Sequence, residues 1–391
     1  MPVTLRPRQE KHVLKGYPWI FSNQIDAVDE AATGDIVDVR TADGRPLGQG
    51  FYHAKSLIAV RLVTTDVATP VDEAFFARRI DAALALRSSF FHDATHYRLI
   101  FSESDGFPGT IVDRYGDVLT WSCLSYGMEK QRDLVLDLLE ERLKPAAIVE
   151  RNDTWLRGKD GLPECKGVIR GAYEGPIRIR ENGIAFDVDV TDGPKTGFFI
   201  DQRLHRAFVG RLARGRSVLD VFCADGGFSL HAAAGGAASV LGLDTSESAL
   251  ARAAHNAQMN DVSHCIEYKA CDALDELDLL REQGRTFDLI VLDPPAFAKS
   301  RKHLEAATRA YQRINITAMQ LLNPGGILAT ASCSHAIDEK DFLKIVRYSA
   351  IKSGTTLRTL HHGCQPPDHP VLDAMPETSY LKFEVVQKME G

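Results

Sequence analysis

Apolar and polar positions alternate in short runs over the first seventy residues. "DIVDVR" at 35–40 and "SLIAVRLV" at 56–63 have the period of strands, with "ADGRPLGQG" as turn-rich sequence between them. Residues 1–70 are therefore expected to form a small β-barrel-like module. At 72–87, "DEAFFARRIDAALALR" changes to helical spacing behind acidic first-turn residues, which predicts a helix opening a second unit. "GTIVDRYGDVLTWSCLS" at 109–125 then alternates on both sides of Tyr-Gly-Asp and predicts a hairpin. A helix over about 128–143 stops before Pro145, and "AAIVERND" reads as a strand. This order suits a central α+β module over 71–185.

From about 186 the pattern becomes strand, helix, strand, helix, the alternation of a parallel α/β sheet. The expected strands are "SVLDVFC", "SVLGLD", "CIEYKAC", "FDLIVLD" and "GGILATAS", and a last pair near 355–360 and 379–386 would complete about seven.

Size and charge restrict what such a chain does. At 391 residues it is too long for one ordinary core. Its composition, 44% apolar and 25% charged, is that of a globular enzyme, and no apolar run approaches the roughly 20 residues that span a bilayer. The N-terminus has no apolar signal core, so a cytoplasmic protein without membrane association is expected. The seven cysteines are odd in number and scattered, which suits reduced thiols; no His and Cys grouping has zinc spacing, so no metal is expected. A net charge of −7 argues against coating nucleic acid by bulk positive charge. A local basic footprint at Arg203, Arg206, Arg211, Arg214 and Arg216 is as compatible with a solvated helix face as with an RNA-facing surface.

The chemistry gathers at predicted strand ends. In "VLDVFCADGGFSLHAA" a buried strand carrying Asp220 enters a turn with Gly226 and Gly227 and leaves as a small-residue helix, so a ligand can approach the backbone and meet the helix N-terminus. The G-x-G-x-x-G of a dinucleotide site is absent, and Asp220 and Asp225 would repel a pyrophosphate. They suit a cationic, amino-acid-bearing ligand such as S-adenosylmethionine. Asp244, ending the next strand, is placed to accept from ribose hydroxyls, and Asp272, ending the third, to sit near an adenine amine. Each acid alone is more simply a helix N-cap; three in succession favour the cofactor. Cys223, Ala273, Asp293 and Pro294 border these ends and complete the expected cofactor pocket, although Cys223, like Cys123, Cys265 and Cys271, reads first as packing within a strand.

"LDPPAFAKS" leaves the fourth strand rigidly through Pro294 and Pro295, aiming Asp293 into the crevice. An Asp-Pro-Pro-aromatic segment grips the exocyclic amine of a flipped base in amino methylation, but here Ala296 separates Pro295 from Phe297. Methylation at carbon 5 of a pyrimidine is the other compatible reaction, and it needs a thiolate that adds to carbon 6. Cys333 in "TASCSHAI" stands at the end of the neighbouring strand between two hydroxyl residues, where open α/β sheets place ligands. Asp293 would stabilise the adduct. A non-catalytic RNA-binding or assembly factor with the same fold is the third reading.

Over nearly its full length the chain resembles the bacterial RlmI-like family of class I adenosylmethionine-dependent 23S rRNA (cytosine-5-)-methyltransferases. "RQEKHVLKGYPWIFSNQI" looks like the family's N-terminal PUA domain, "SESDGFPGTIVDRYGD" and "ERNDTWLRGKDGL" like its central domain. "KTGFFIDQR", "DVFCADGGFSL", "LDPPAFAKS" and "SCSHAI" look like its catalytic domain. The resemblance implies a PUA module over 1–70, a central module over 71–185, and a Rossmann-like methyltransferase over 186–391 with a seven-stranded, mostly parallel sheet. It also implies Cys333 as nucleophile and Phe199, Gln202 and Arg203 in a segment, 195–203, that folds over the cofactor. The implied partners are 23S rRNA or a large-subunit assembly intermediate, with a homodimer as a weaker expectation. Members often carry Tyr-Thr where Ala224 and Asp225 stand.

Overall fold

A computed structural model describes residues 1–92, 94–297 and 303–389. The chain divides into two compact units, one of residues 1–179, 188–200 and 367–378, the other of 180–187, 201–366 and 379–391.

The first unit contains two sheets. Strands β1 (Pro2–Leu5), β2 (Trp19–Phe21), β3 (Ile25–Val28), β4 (Ile36–Arg40), β5 (Pro46–Tyr52) and β6 (Ile58–Thr64) form a six-stranded sheet in the order β2-β6-β5-β4-β1-β3. Its pairing stops at β2 and β3, and β1 runs parallel to β4, so the sheet is mixed. Alternate residues such as Val37, Val39, Val60 and Leu62 supply its core. Strands β7 (His96–Phe101), β8 (Thr110–Tyr115), β9 (Val118–Cys123), β10 (Ala147–Asn152) and β11 (Cys165–Gly171) make a second sheet in the order β11-β10-β9-β8-β7. The 109–125 hairpin forms as expected, with Tyr115 opposite Val118. Helices α1 (Glu73–Phe90) and α2 (Arg132–Leu143) bury Phe76, Ile80, Val135 and Leu139 with Leu99 and Trp121 of this sheet. Asp72 caps α1 by accepting from Phe75 N at 2.9 Å, as its acidic start suggests. The buried guanidinium of Arg98 bonds both oxygens of Asp113 at 2.8 Å, and Thr196 Oγ1 donates to the same carboxylate at 2.5 Å.

A two-stranded ribbon, β12 (Ile177–Glu181) and β13 (Ile184–Val188), precedes the large sheet. That sheet has seven strands, β14 (Ser217–Val221), β15 (Ser239–Asp244), β16 (Ile266–Ala270), β17 (Phe287–Leu292), β18 (Leu322–Ser332), β19 (Leu357–Gly363) and β20 (Lys382–Lys388), in the order β16-β15-β14-β17-β18-β20-β19. The first five in this order are mutually parallel, and β20 is antiparallel to both neighbours. Crossovers are made by α4 (Gly227–Ala234), α5 (Glu247–Met259), α6 (Ala273–Glu282) and α7 (Leu304–Leu321); α3 (Arg203–Leu212) precedes β14 and α8 (Glu339–Ser353) follows β18. Cores lie on both faces, one with Leu219, Ile290, Leu328 and Tyr311, the other with Val218, Leu289, Ala329 and Phe228. That explains the near-continuous apolar runs of the central strands.

Two expectations are corrected here. Of the four cysteines expected within strands only Cys123 is in one: Cys223 lies in the turn after β14, which ends at Val221, and Cys265 and Cys271 lie just outside β16, half-buried, because that strand occupies only Ile266–Ala270. The basic footprint loses Arg203 and Arg206, both buried: Arg206 is bidentate to Glu181 at 2.6 and 2.8 Å, with Arg203 Nε 3.9 Å from that carboxylate. Arg211 and Arg214 remain exposed. No helix among the described residues is long and apolar enough to cross a membrane.

Candidate active site

The parallel strands of the large sheet end along one edge. In spatial order that edge carries Asp272 past β16, Asp244 closing β15, the 222–227 turn after β14, Asp293 after β17 and Cys333 after β18.

The turn is the most contorted part. Phe222 (φ 66°), Ala224 (φ 46°) and Gly226 (φ 78°) are all left-handed, and only the glycine takes that conformation without steric cost. A side chain at Gly226 would also come within 2.5 Å of the Tyr268 hydroxyl. Hydrogen bonds hold the other two in place: Cys223 N donates to Leu243 O at 3.0 Å, and Ala224 N to Asp244 Oδ2 at 2.9 Å. Gly227 then begins α4.

The acids play more varied parts than their positions suggest. Asp220 is fully buried within β14; Oδ2 accepts from Ser229 Oγ at 2.6 Å, while Oδ1 is buried without a hydrogen-bond partner. Burial pushes this carboxyl up to about 6. Asp225 is neutralised by Arg252, whose Nε and Nη2 donate to Oδ1 at 3.0 and 2.8 Å. The expected repulsion of a pyrophosphate by Asp225 is thereby weakened. Asp244 also accepts from Ser246 N at 2.9 Å, which leaves lone pairs on both oxygens. Asp272 is exposed and caps α6 through Leu274 N and Asp275 N, at 2.8 and 3.3 Å; Ala273 behind it is buried. Cys223 is buried, and burial raises its thiol pKa. An unsatisfied acceptor on Asp220, a half-buried Asp244 and a glycine turn at a helix N-terminus fit a ligand with amine and hydroxyl groups, as adenosylmethionine has.

Of the segment 195–203, the residues from Asp201 onward belong to the unit that carries this edge. Lys195 Nζ lies 4.7 Å from the centre of the Phe199 ring. Further on, the buried Gln202 donates from Nε2 to Asp293 Oδ1 at 2.8 Å, and its Oε1 lies 2.6 Å from His205 Nδ1. His205 is stacked on Phe383 with centroids 4.0 Å apart, and burial pulls its pKa down to about 3, so it is neutral. Asp293 is half-buried and Pro294 buried; Ala298, Lys299 and Ser300 of the "LDPPAFAKS" segment fall outside the described residues. Phe297 packs edge-on against Tyr311 at 4.8 Å.

Cys333 is half-buried while both neighbours are buried. Ser332 Oγ donates to the Tyr311 hydroxyl at 3.0 Å, and Ser334 Oγ lies 3.2 Å from the same oxygen. One phenol on α7 therefore fixes the backbone on either side of the thiol. Burial raises the Tyr311 pKa, and the charges of Cys333 and Asp293 raise it further, so thiol and carboxylate share its surroundings. The hydroxyl residues flanking Cys333 are part of the scaffold.

Comparison with known proteins identifies the fold's chemistry. Residues 165–383 match the model of an S-adenosylmethionine-dependent methyltransferase family, and residues 3–65 that of a PUA-like domain. The chain is 44% identical over 387 residues to a ribosomal RNA large subunit methyltransferase I of Shewanella denitrificans, covering 97% of each chain. It is 42% identical to the protein of that name from Aeromonas hydrophila, again over 97% of each. The chain belongs to this rRNA methyltransferase I family. A S-adenosylmethionine-dependent methyltransferase of known structure from Streptococcus mutans has the same fold at 21% identity, with a TM-score of 0.85 over 99% of this chain and 100% of its own.

For a member of the rRNA methyltransferase I family, S-adenosylmethionine is the cofactor. Three residues of the site lie beyond the reach of strand-end reasoning: His205, Tyr311 and Lys382. Lys382 opens β20 directly opposite Ser332. Its signal in the sequence is a cation set between apolar neighbours, Leu381 and Phe383, in "SYLKFEVV".

Proposed function

We propose that the chain methylates carbon 5 of one cytosine in large-subunit ribosomal RNA, 23S in bacteria, with Cys333 as a transient covalent nucleophile. The proposal takes residues 1–70 as the RNA-docking module, 71–185 as the central module and 186–391 as the catalytic one. Cys333 carries the reading: a half-buried thiol at the end of β18, beside the strand that delivers Asp293.

Bound S-adenosylmethionine supplies an electrophilic methyl group. Asp244 and the free oxygen of Asp220 would receive its hydroxyl or amine groups, with the 222–227 turn, Ala273 and Pro294 around them. Cys333 as thiolate forms a bond to carbon 6, and the electrons of the 5,6 double bond move to carbon 5, which takes the methyl group. Loss of the carbon-5 proton then re-forms the double bond and expels the thiolate. Asp293, oriented by Gln202, holds the pyrimidine where its ring nitrogen and amine can be paired.

Against the amino-methylation reading stand Ala296, which separates Pro295 from Phe297, and the edge-on contact that engages the Phe297 ring with Tyr311. The test is incubation of rRNA with labelled S-adenosylmethionine and mapping of the modified nucleoside. The expected product is 5-methylcytidine, a covalent complex should form with RNA containing 5-fluorocytosine, and Cys333→Ala should abolish both while still binding the cofactor. Methylation by Cys333→Ala at the wild-type rate would remove the nucleophile from the mechanism.

A further inference from the structure

A thiol with its ordinary pKa near ~8.5 is only a few per cent ionised at neutral pH, so a nucleophilic Cys333 needs a group that favours its anion. His335, two residues along, is the obvious candidate in the sequence. In the structure its ring is tilted against Tyr380, with centroids 5.5 Å apart. A different cation lies next to the strand end.

Lys382 is buried, at 7% exposure, in the register position opposite Ser332. Its Nζ donates to the carbonyl oxygens of Ser334 and Tyr380, each at 2.7 Å. Both acceptors are neutral, and among the described residues no carboxylate forms an ion pair with the buried ammonium, an arrangement with a large desolvation cost unless an anion is available nearby. The tether to Ser334 O fixes the ammonium beside the residue that follows Cys333. We propose that Lys382 is a positioning residue for the reaction, its ammonium anchored on Ser334 and Tyr380 so that it stabilises the thiolate of Cys333 and holds it ready to add to the pyrimidine.

Two acidic groups in the surroundings act on Lys382, the Cys333 thiol and the Asp338 carboxylate, and of these Cys333 is the one at the strand end that Lys382 braces through Ser334 O. Around Lys382 stand Cys333, Asp338 at the start of α8, His335, and Tyr380, whose hydroxyl donates to Asp201 at 2.7 Å. Glu384, two residues along β20, is engaged by His362 Nδ1 at 2.5 Å. On the α7 side Tyr311 accepts from Ser332, with Asp293 beyond it. Of these groups only Cys333 and Asp338 act on Lys382 with enough field to favour its charge, against a burial that brings the amine down to about 8. The ionisation balances simply: the thiol proton goes to water, Lys382 keeps its own proton, and the resulting thiolate joins Asp338 in the field of the buried cation. The same ammonium favours expulsion of the thiolate when the adduct collapses.

This inference rests on Cys333 being the nucleophile, but its test requires neither RNA nor cofactor. The full-length protein is treated with iodoacetamide across pH 5.5–10, and the rate of alkylation at Cys333 is followed by mass spectrometry of its peptide, separately from the other six cysteines. The wild-type mid-point should fall below that of an ordinary thiol. Lys382→Met should raise it by a unit or more, about a ten-fold slower alkylation at pH 7, and Lys382→Arg should restore it in large part. Lys382→Gln, measured alongside with its thermal unfolding, serves if the Met variant does not fold. Equal mid-points in wild type and the neutral variants would overturn the role of Lys382, whatever the outcome of the Cys333→Ala methylation assay.

Discussion

Gln202 Nε2 donates to Asp293 Oδ1 at 2.8 Å, and so ties the residue before α3 to the residue that leaves β17. The amide is itself held by His205, neutral and stacked on Phe383, so this hydrogen bond to the carboxylate is backed by a chain of buried groups. Replacing Gln202 by Leu preserves most of the volume and removes the donor. A hydrogen bond to a charged group contributes about 1.5–3 kcal/mol, so kcat/KM for RNA methylation should fall roughly ten- to a hundred-fold. Single-turnover methylation with calorimetric measurement of cofactor affinity separates this from a binding defect: a loss confined to cofactor affinity would mean that Gln202 serves the cofactor and not Asp293.

The buried pair Arg206–Glu181 gives a different kind of prediction. Both bonds are short, both side chains are almost wholly inaccessible, and His231 Nε2 stands 3.6 Å from the same carboxylate. Arg206→Ala removes the bidentate partner of the buried Glu181, and breaking such a buried pair typically costs about 3–5 kcal/mol. Arg211→Ala and Arg214→Ala, at exposed positions, should change stability by less than about 0.5 kcal/mol. Urea unfolding of the three variants checks the contrast, and equal destabilisation in all three would contradict a structural assignment for Arg206.

That contrast also marks how far the sequence can be read. The alternation of strands and helices after 186, the hairpin at 109–125 and the strand-end positions of Asp244, Asp293 and Cys333 follow from periodicity, because each depends on residues close together in the chain. Charge runs do not reveal which arginines face inward: Arg203 and Arg206 are buried through Glu181, more than twenty residues away on a ribbon that the pattern did not single out. Asp220 and Asp225 look equivalent on either side of one turn, yet one is buried in a strand and the other bonded to Arg252. Tyr311 and Lys382 reach the Cys333 strand end only because β18 has α7 packed on one side and β20 paired beside it. Such relations are set by topology.

Protonation of buried histidines should limit stability at acid pH. His231 is fixed as a neutral ring: Nδ1–H donates to Gly227 O at 2.8 Å, and Nε2 accepts from Asn182 Nδ2 at 3.2 Å. Burial lowers its pKa to about 4, as it lowers that of His205 to about 3, against an unfolded value near 6.5. Both folded values are depressed, so below pH 6.5 the unfolded chain takes up two protons that the folded chain refuses, and stability is lost as pH falls. Asp220 acts oppositely: with its folded value raised to about 6 from 3.8, it holds a proton in the folded state that the unfolded state gives up between those values. Between pH 6 and 4 one net proton therefore favours unfolding, a slope of roughly 1.4 kcal/mol per pH unit from these three groups. Urea titrations at pH 7.5, 6 and 5 should show the decline, and in His231→Gln, whose amide does not titrate, the slope over this window should be smaller by one proton's contribution, roughly 1.4 kcal/mol per pH unit. An unchanged slope in that variant would place the acid sensitivity elsewhere in the protein.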